Sequence, residues 1–256
     1  MSPNSTNTES NSRSEQPLMA PGGSAPGKLR IKWLLWSLLG VVVLVFASAI
    51  AWRWLSPRNG QTALAVIGVA PHYRLVNQNG KPVSSRDFSG KIQIVTALFP
   101  YCRELCPLVA ANLAEFRDNV VQASDLKGHV VFVFFNLAPA DADPAEMRTF
   151  LKQYGWNSED PELQFLTGSP EEIRRVVQGG YHIAYYRTPG EADVTDARFQ
   201  INNPLADRVK PGFDIVHADT IEIVDGQGRI RKVFSEGARL DDNRLQSTIE
   251  PLLAIR

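Results

Sequence analysis

A run of β-branched and apolar residues, Ile92-Gln-Ile-Val-Thr-Ala-Leu-Phe99, leads directly into Pro100-Tyr-Cys102-Arg-Glu-Leu-Cys106-Pro107. The first stretch predicts a buried strand, and Pro107 predicts the first position of a helix, so both cysteines fall on a strand-to-helix turn. The remaining 254 residues contain no other cysteine. Two cysteines make a site rather than a disulfide scaffold. Free N–H groups and partial positive charge at a helix N-terminus favour thiolate over thiol, so cysteines placed there are nucleophilic and able to bind metal. A structural disulfide, or a pair of buried thiols, is the plainer alternative.

The pattern after this stretch alternates strands and helices. His129 to Phe135 predicts a second apolar strand, and Asp143-Pro-Ala-Glu146 a helix ending near Tyr154-Gly155. Leu163 to Leu166 predicts a third strand, and Ser169-Pro-Glu-Glu172 a helix that stops at Gly179-Gly180. The helix from Pro107 is expected to reach about Val121, burying Leu108, Ala111, Leu113 and Phe116. Tyr181 to Tyr186 reads as a further short strand, and Arg187 to Phe213 as a long polar loop of the functional kind. Thr220 to Val224 and Ile230 to Phe234 flank the turn Asp225-Gly-Gln-Gly228, before a last helix over about Asp241 to Leu253. A hairpin closed by Asn77-Gln-Asn-Gly80 precedes the cysteine strand. These elements predict an α/β layer with a mixed sheet.

Towards the N-terminus the composition changes. Residues 1–27 hold almost nothing apolar and are expected to be disordered, as is the cytoplasmic segment to residue 32. Trp33 to Trp52 is an uncharged apolar run of about the 20 residues a bilayer-spanning helix needs. Lys28, Arg30 and Lys32 before it outweigh Arg53 and Arg58 after it, and tryptophans sit at both ends. The expectation is a transmembrane anchor over 33–54, a tether over 55–65 and a globular domain over 66–256. The N-terminus is then cytoplasmic and the domain outside the inner membrane, in a periplasm if the source is Gram-negative. Lys and Arg balance Asp and Glu at 27 each, with no basic run interleaved with aromatics, which argues against nucleic acid as a partner.

Phe99-Pro-Tyr-Cys102-Arg-Glu-Leu-Cys106-Pro107, the later Phe165-Leu-Thr-Gly-Ser-Pro-Glu-Glu172, and Asp214-Ile-Val-His217 ahead of Thr220 to Gly228 together resemble the Sco/SenC family. The resemblance implies a thioredoxin-like mixed sheet flanked by helices behind an N-terminal transmembrane helix. It also implies copper, as Cu(I) or Cu(II), held by Cys102, Cys106 and His217, with Cys102 and Cys106 as a redox pair where thiol exchange occurs. The implied role is copper delivery to the copper-bearing subunit of cytochrome c oxidase, or thiol reduction at that centre, with another copper chaperone as a further partner. Two soft thiolates and an imidazole suit copper, and three donors leave an exchangeable site. A structural zinc site normally takes four protein ligands.

The chain departs from the family pattern in having Arg103-Glu-Leu105 where Pro-Asp-Val is usual, which predicts a looser and more electropositive turn. Val216 and Ala218 flank the histidine in place of Asp and Ser or Thr, so Asp214, Asp219 or a backbone carbonyl has to take the second imidazole N–H. His72, His129 and His182 have no paired ligand motif and read as structural or surface residues. A membrane-anchored thiol-disulfide oxidoreductase or thiol peroxidase using the same cysteines is the competing function.

Overall fold

The computed structural model describes residues 28–55, 64–190, 203–209 and 211–255, and gives the backbone alone for 28–35, 51 and 53–55. The chain divides into two compact units, Met1–Gly60 and Gln61–Arg256. The segment expected to be disordered lies outside the described residues up to residue 27, as does most of the expected tether. From Lys28 the chain is helical, earlier than expected, because a helix nucleated in the apolar run extends at little cost into the basic residues before it.

In the first unit, α1 (Lys28–Leu55) carries apolar side chains all round. Those described, 36–50 and Trp52, are exposed, with Trp36, Leu44 and Phe46 among them. Among the described residues no helix is long and apolar enough to cross a membrane; the expected anchor at 33–54 lies within α1.

The second unit starts with the short strands β1 (Gly68–Val69), β2 (Arg74–Asn77) and β3 (Pro82–Ser84), then β4 (Ile92–Leu98) and α2 (Leu105–Phe116). There follow β5 (Val130–Asn136), α3 (Pro144–Gln153), β6 (Leu163–Thr167) and α4 (Pro170–Val177). The last part holds β7 (Tyr185–Pro189), α5 (Pro204–Val209), β8 (Phe213–His217), β9 (Ile221–Val224), β10 (Arg229–Phe234) and α6 (Asp242–Ile249). The main sheet runs β1-β10-β9-β4-β5-β6-β2-β3, with β4, β5 and β6 parallel and the other pairs antiparallel. Among the described residues, β7 and β8 pair only with each other. The expected mixed α/β layer is present.

β4 and β5 lie at the centre and are buried at every position, as continuous apolar runs require. On one face Phe132 and Phe134 meet the Trp156 ring edge-on, and Trp156 Nε1 donates to the Ala110 carbonyl, fixing α2 over the sheet. On the other, Phe135 packs against Tyr73 and Tyr181. α3 and α4 begin with complete capping boxes, Asp143 with Glu146 and Ser169 with Glu172, each with proline in the first turn.

Two expectations are corrected here. α2 starts at Leu105, two residues before Pro107, and its buried face is Cys106, Pro107, Val109, Ala110, Leu113, Ala114 and Phe116, with Leu108 exposed. Proline is tolerated there because the N–H groups of a first helical turn have no partner within the helix. Residues 181–184 are not a strand. His182 sits at φ 58°, and the Tyr181 and Ile183 amides bond to the Val176 and Val177 carbonyls at the end of α4.

Glu222 lies in β9 with 2% of its surface exposed, and its Oε2 finds no hydrogen-bond partner. Burial pushes its carboxyl up from 4.5 to about 7. The folded state therefore holds a proton that the unfolded state has lost, and stability falls as pH rises from about 4.5 to 7, levelling off above. The shift corresponds to a loss of order 3 kcal/mol. Urea midpoints of wild type and Glu222→Gln across this range should show the wild-type decline reduced in the variant; parallel profiles would contradict the assignment.

Candidate functional site

The cysteine turn starts where β4 ends. Phe99 is buried, meets Tyr101 edge-on and Phe213 at a tilt, and the Cys102 amide closes the turn on the Phe99 carbonyl at 3.0 Å. The Tyr101 hydroxyl donates to either of two acceptors, the Asp141 carbonyl and Glu146 Oε2, both at 2.7 Å. Cys106 follows in the first turn of α2, fully buried, so the expected position of both thiols at a strand-to-helix turn is the observed one.

His217 is the last residue of β8, which hangs beside the cysteine turn in the two-stranded sheet with β7. Its Nε2 is 3.0 Å from Cys106 Sγ, and its Nδ1 is 3.0 Å from the Ala218 carbonyl oxygen. A carbonyl only accepts, so Nδ1 carries a proton, and whenever the ring is neutral it is Nε2 that presents its lone pair to the sulfur. Of the three expected acceptors for the second imidazole N–H, the backbone carbonyl is the one used. Asp219 instead accepts the Ala238 amide, at 3.0 and 3.2 Å, next to Gly237, where a Cβ would come within 2.7 Å of its carboxylate.

Both cysteines are unbridged and buried. Cys106 Sγ also accepts the Phe99 amide at 3.4 Å, and Cys102 Sγ the Glu104 amide at the same distance. The Cys102 thiol is pushed well up, first by the neighbouring Cys106 and then by burial; His217 opposes these. Burial pulls His217 down, but Cys102, the Ala218 carbonyl and Asp219 outweigh it and hold the imidazole above its ordinary value. The hydrogen-bond contact is with Cys106 Sγ, and Cys102 also bears on the ring, favouring its protonated form.

Among the described residues, no three His, Cys, Asp or Glu side chains are disposed to hold a metal ion. The reason at the sulfur–imidazole contact is geometric. Metal bonds of about 2.0 Å to nitrogen and 2.3 Å to sulfur, at an open angle, need the donors roughly 3.5 Å apart. At 3.0 Å the pair is hydrogen-bonded instead. The donor types suit a soft cation, and the imidazole has to withdraw by a few tenths of an ångström to admit one.

The long segment 187–213 is not a plain loop at its described ends. β7 and β8 pair at its two ends, and α5 lies against the cysteine turn; residues 191–202 and 210 lie outside the described residues. Arg103 pairs with Asp207 of α5, and Asn203, fully buried, bonds to the turn's carbonyls. The turn is therefore tied down and its charge matched, where the Arg103-Glu-Leu105 sequence predicted it loose and electropositive. The one sequence signal for Asn203 is the Asn-Pro helix start at 203–204, and nothing local ties it to a cysteine 101 residues earlier.

The family profile described as SCO1/SenC matches residues 63–253. The chain is 25% identical over 189 residues to Protein sco1 of Schizosaccharomyces pombe, covering 72% of this chain and 63% of that protein. It is 30% identical over 119 residues to the mitochondrial SCO1 homolog 1 of Arabidopsis thaliana, covering 46% of this chain and 33% of that protein. The matches thus span less than two thirds of these relatives. Among solved structures, copper-bound ScoI of Arabidopsis thaliana aligns at TM-score 0.57 and 21% identity, covering 73% of this chain and 99% of that one. BsSco, described with a disulfide switch and as a member of the Sco family of cytochrome c oxidase assembly proteins, aligns at TM-score 0.57 and 17% identity, covering 77% and 100%. At these identities the structures show a shared fold.

Proposed function

The chain is a divergent member of the SCO1/SenC family, and from that premise we propose that it is a copper-handling assembly factor that uses Cys102, Cys106 and His217 as metal donors. The observation that carries this reading is the 3.0 Å approach of His217 Nε2 to Cys106 Sγ, with the other imidazole nitrogen committed to a carbonyl. That arrangement presents a nitrogen lone pair beside two thiols, a donor set that favours Cu(I) and leaves room for exchange. The recipient in this proposal is the copper-bearing subunit of cytochrome c oxidase, the process for which the family relative BsSco is described. The globular domain over 66–256 does the chemistry. The apolar run Trp33 to Trp52 tethers it to a membrane, with the basic cluster on the cytoplasmic side and the domain in the periplasm or its equivalent; all-round apolarity and exposure of the described α1 side chains support this.

The test is a Cu(I) titration of the reduced full-length chain against a chromophoric chelator, with absorption and paramagnetic resonance spectra. One copper per chain with sulfur-to-metal charge-transfer bands in the Cu(II) form is expected. His217→Ala should weaken Cu(I) binding by at least about tenfold. Unchanged affinity in that variant would remove His217 from the ligand set.

A second reading is favoured by the two unbridged cysteines, close enough that Cys106 raises the Cys102 thiol. Thiols that close can form a disulfide, so the pair could serve as a thiol-disulfide reductant. Turnover of disulfide substrates that needs both cysteines and tolerates His217→Ala would favour this reading over copper delivery.

A further inference from the structure

Asn203 has 0% of its surface exposed and uses both ends of its amide. Nδ2 donates to the carbonyls of Pro100, at 2.9 Å, and Cys102, at 2.7 Å. Oδ1 accepts the amides of Leu205 and Ala206, at 3.1 and 3.2 Å, and so caps the start of α5. The partners fix the orientation of the amide, because the carbonyls only accept and the backbone amides only donate. Leu205 and Ala206 are buried at 1% and 0%, so α5 is itself anchored, and its Asp207 pairs with Arg103 one residue past Cys102.

These contacts converge on one half of the dithiol. Cys106 is placed by α2 and by the core beneath it. Cys102 is in no helix or strand, so its backbone, and with it the direction of its sulfur, depends on what holds the turn. A buried amide that grips the carbonyl of this residue and of the residue two before it supplies that hold.

We infer that Asn203 is a positioning residue for the dithiol: by holding the Pro100 and Cys102 carbonyls it sets where the Cys102 sulfur stands relative to Cys106. For copper, the inference rests on the function proposed above. For disulfide closure it does not, because closing an S–S bond is also sensitive to the separation and direction of the two sulfurs. The competing role is purely local, a helix cap for α5 that happens to lie under the turn.

Two substitutions in the full-length chain separate these roles. Asn203→Ser retains a good N-cap but cannot reach the two carbonyls. Asn203→Asp keeps both accepting bonds to α5 and replaces the two donations with repulsion between oxygens. Two readouts are taken beside the melting temperature. One is Cu(I) affinity by chelator competition. The other is equilibrium with glutathione, in which two glutathione thiols are oxidised to their disulfide as the Cys102–Cys106 disulfide is reduced to two thiols. Positioning predicts that Asn203→Ser moves the redox equilibrium constant by at least about tenfold, and Cu(I) affinity by a similar factor, while the melting temperature falls only as two unpaired carbonyls require and the chain stays folded. Asn203→Asp, where it folds, should move both further in the same direction. If Asn203→Ser leaves the redox constant within about threefold of wild type, the inference is overturned. It is equally overturned if Asn203→Asp behaves as wild type, since a cap is then all that is needed. Wild type that binds no copper, together with a redox constant that responds to Asn203→Ser, would sink the copper proposal and uphold the positioning role.

Discussion

Cys106→Ala in the reduced full-length chain is expected to abolish measurable Cu(I) binding at micromolar protein, a loss of more than about a hundredfold, since even outer partners of metal ligands cost 10–100-fold. The sulfur removed is the one that meets the imidazole. It contacts His217 Nε2 at 3.0 Å, accepts the Phe99 amide at 3.4 Å, and lies in the first turn of α2, where the helix favours negative charge. Without it Cys102 and His217 lose their common neighbour. Cysteine packs as a small hydrophobe, so the fold should lose only about 1 kcal/mol, and a near-native melting curve will certify the variant. Copper retained at stoichiometry by folded Cys106→Ala would place the metal elsewhere.

The largest stability effect is expected at Asp225, which has no exposed surface and lies in the turn between β9 and β10. Its carboxylate accepts the Gln227 and Arg229 amides at 3.0 Å, Arg229 Nε at 2.9 Å and Arg231 Nη1 at 2.8 Å. Burial alone would raise its pKa, but these bonds prevail and hold it below the ordinary 3.8. Asp225→Ala strands the Arg231 guanidinium, whose side chain is 4% exposed, and should cost about 3–5 kcal/mol. For a domain of this size that lowers the melting temperature by roughly 10 °C or more. The sign of the pH dependence is opposite to that of Glu222. The stability Asp225 contributes is complete above its unfolded pKa and is lost as pH falls through the lower folded value, so wild type and variant should converge once pH is below that folded value. A difference that persisted at that pH would show that packing, rather than charge, is what the alanine removes.

Elements specified by their own residues were legible in the sequence. The starts of α3 and α4 follow from Asp143 with Glu146 and Ser169 with Glu172, three residues apart, and the central strands from largely apolar, β-branched runs. The turn 77–80 and the β9–β10 hairpin were equally local. What escaped depends on partners far along the chain. Arg103 read as an excess charge because Asp207, which neutralises it, lies 104 residues on. The strand at 181–186 was placed four residues early because Tyr181 and Ile183 are apolar for a different reason, wrapping the end of α4. Val109 and Ala110, not Leu108, face the core, because α2 begins at Leu105 and the sequence offered Pro107 as the more visible marker. The candidate site was half legible: the cysteines from their turn, His217 from the family pattern, and Asn203 not at all.

The sequence separations within the site carry a consequence for how it forms. Cys106 and His217 are 111 residues apart, and Cys102 and Asn203 are 101. Closing a flexible segment of that length costs about 4 kcal/mol in chain entropy beyond a constant, before any contact rewards it. Contacts with such long reach form slowly and late. A chain still folding therefore carries both thiols close together, only three residues between them, well before the imidazole and the buried amide arrive. The contact between His217 and Cys106 marks a finished molecule, and a thiol pair without it marks one that is still being made.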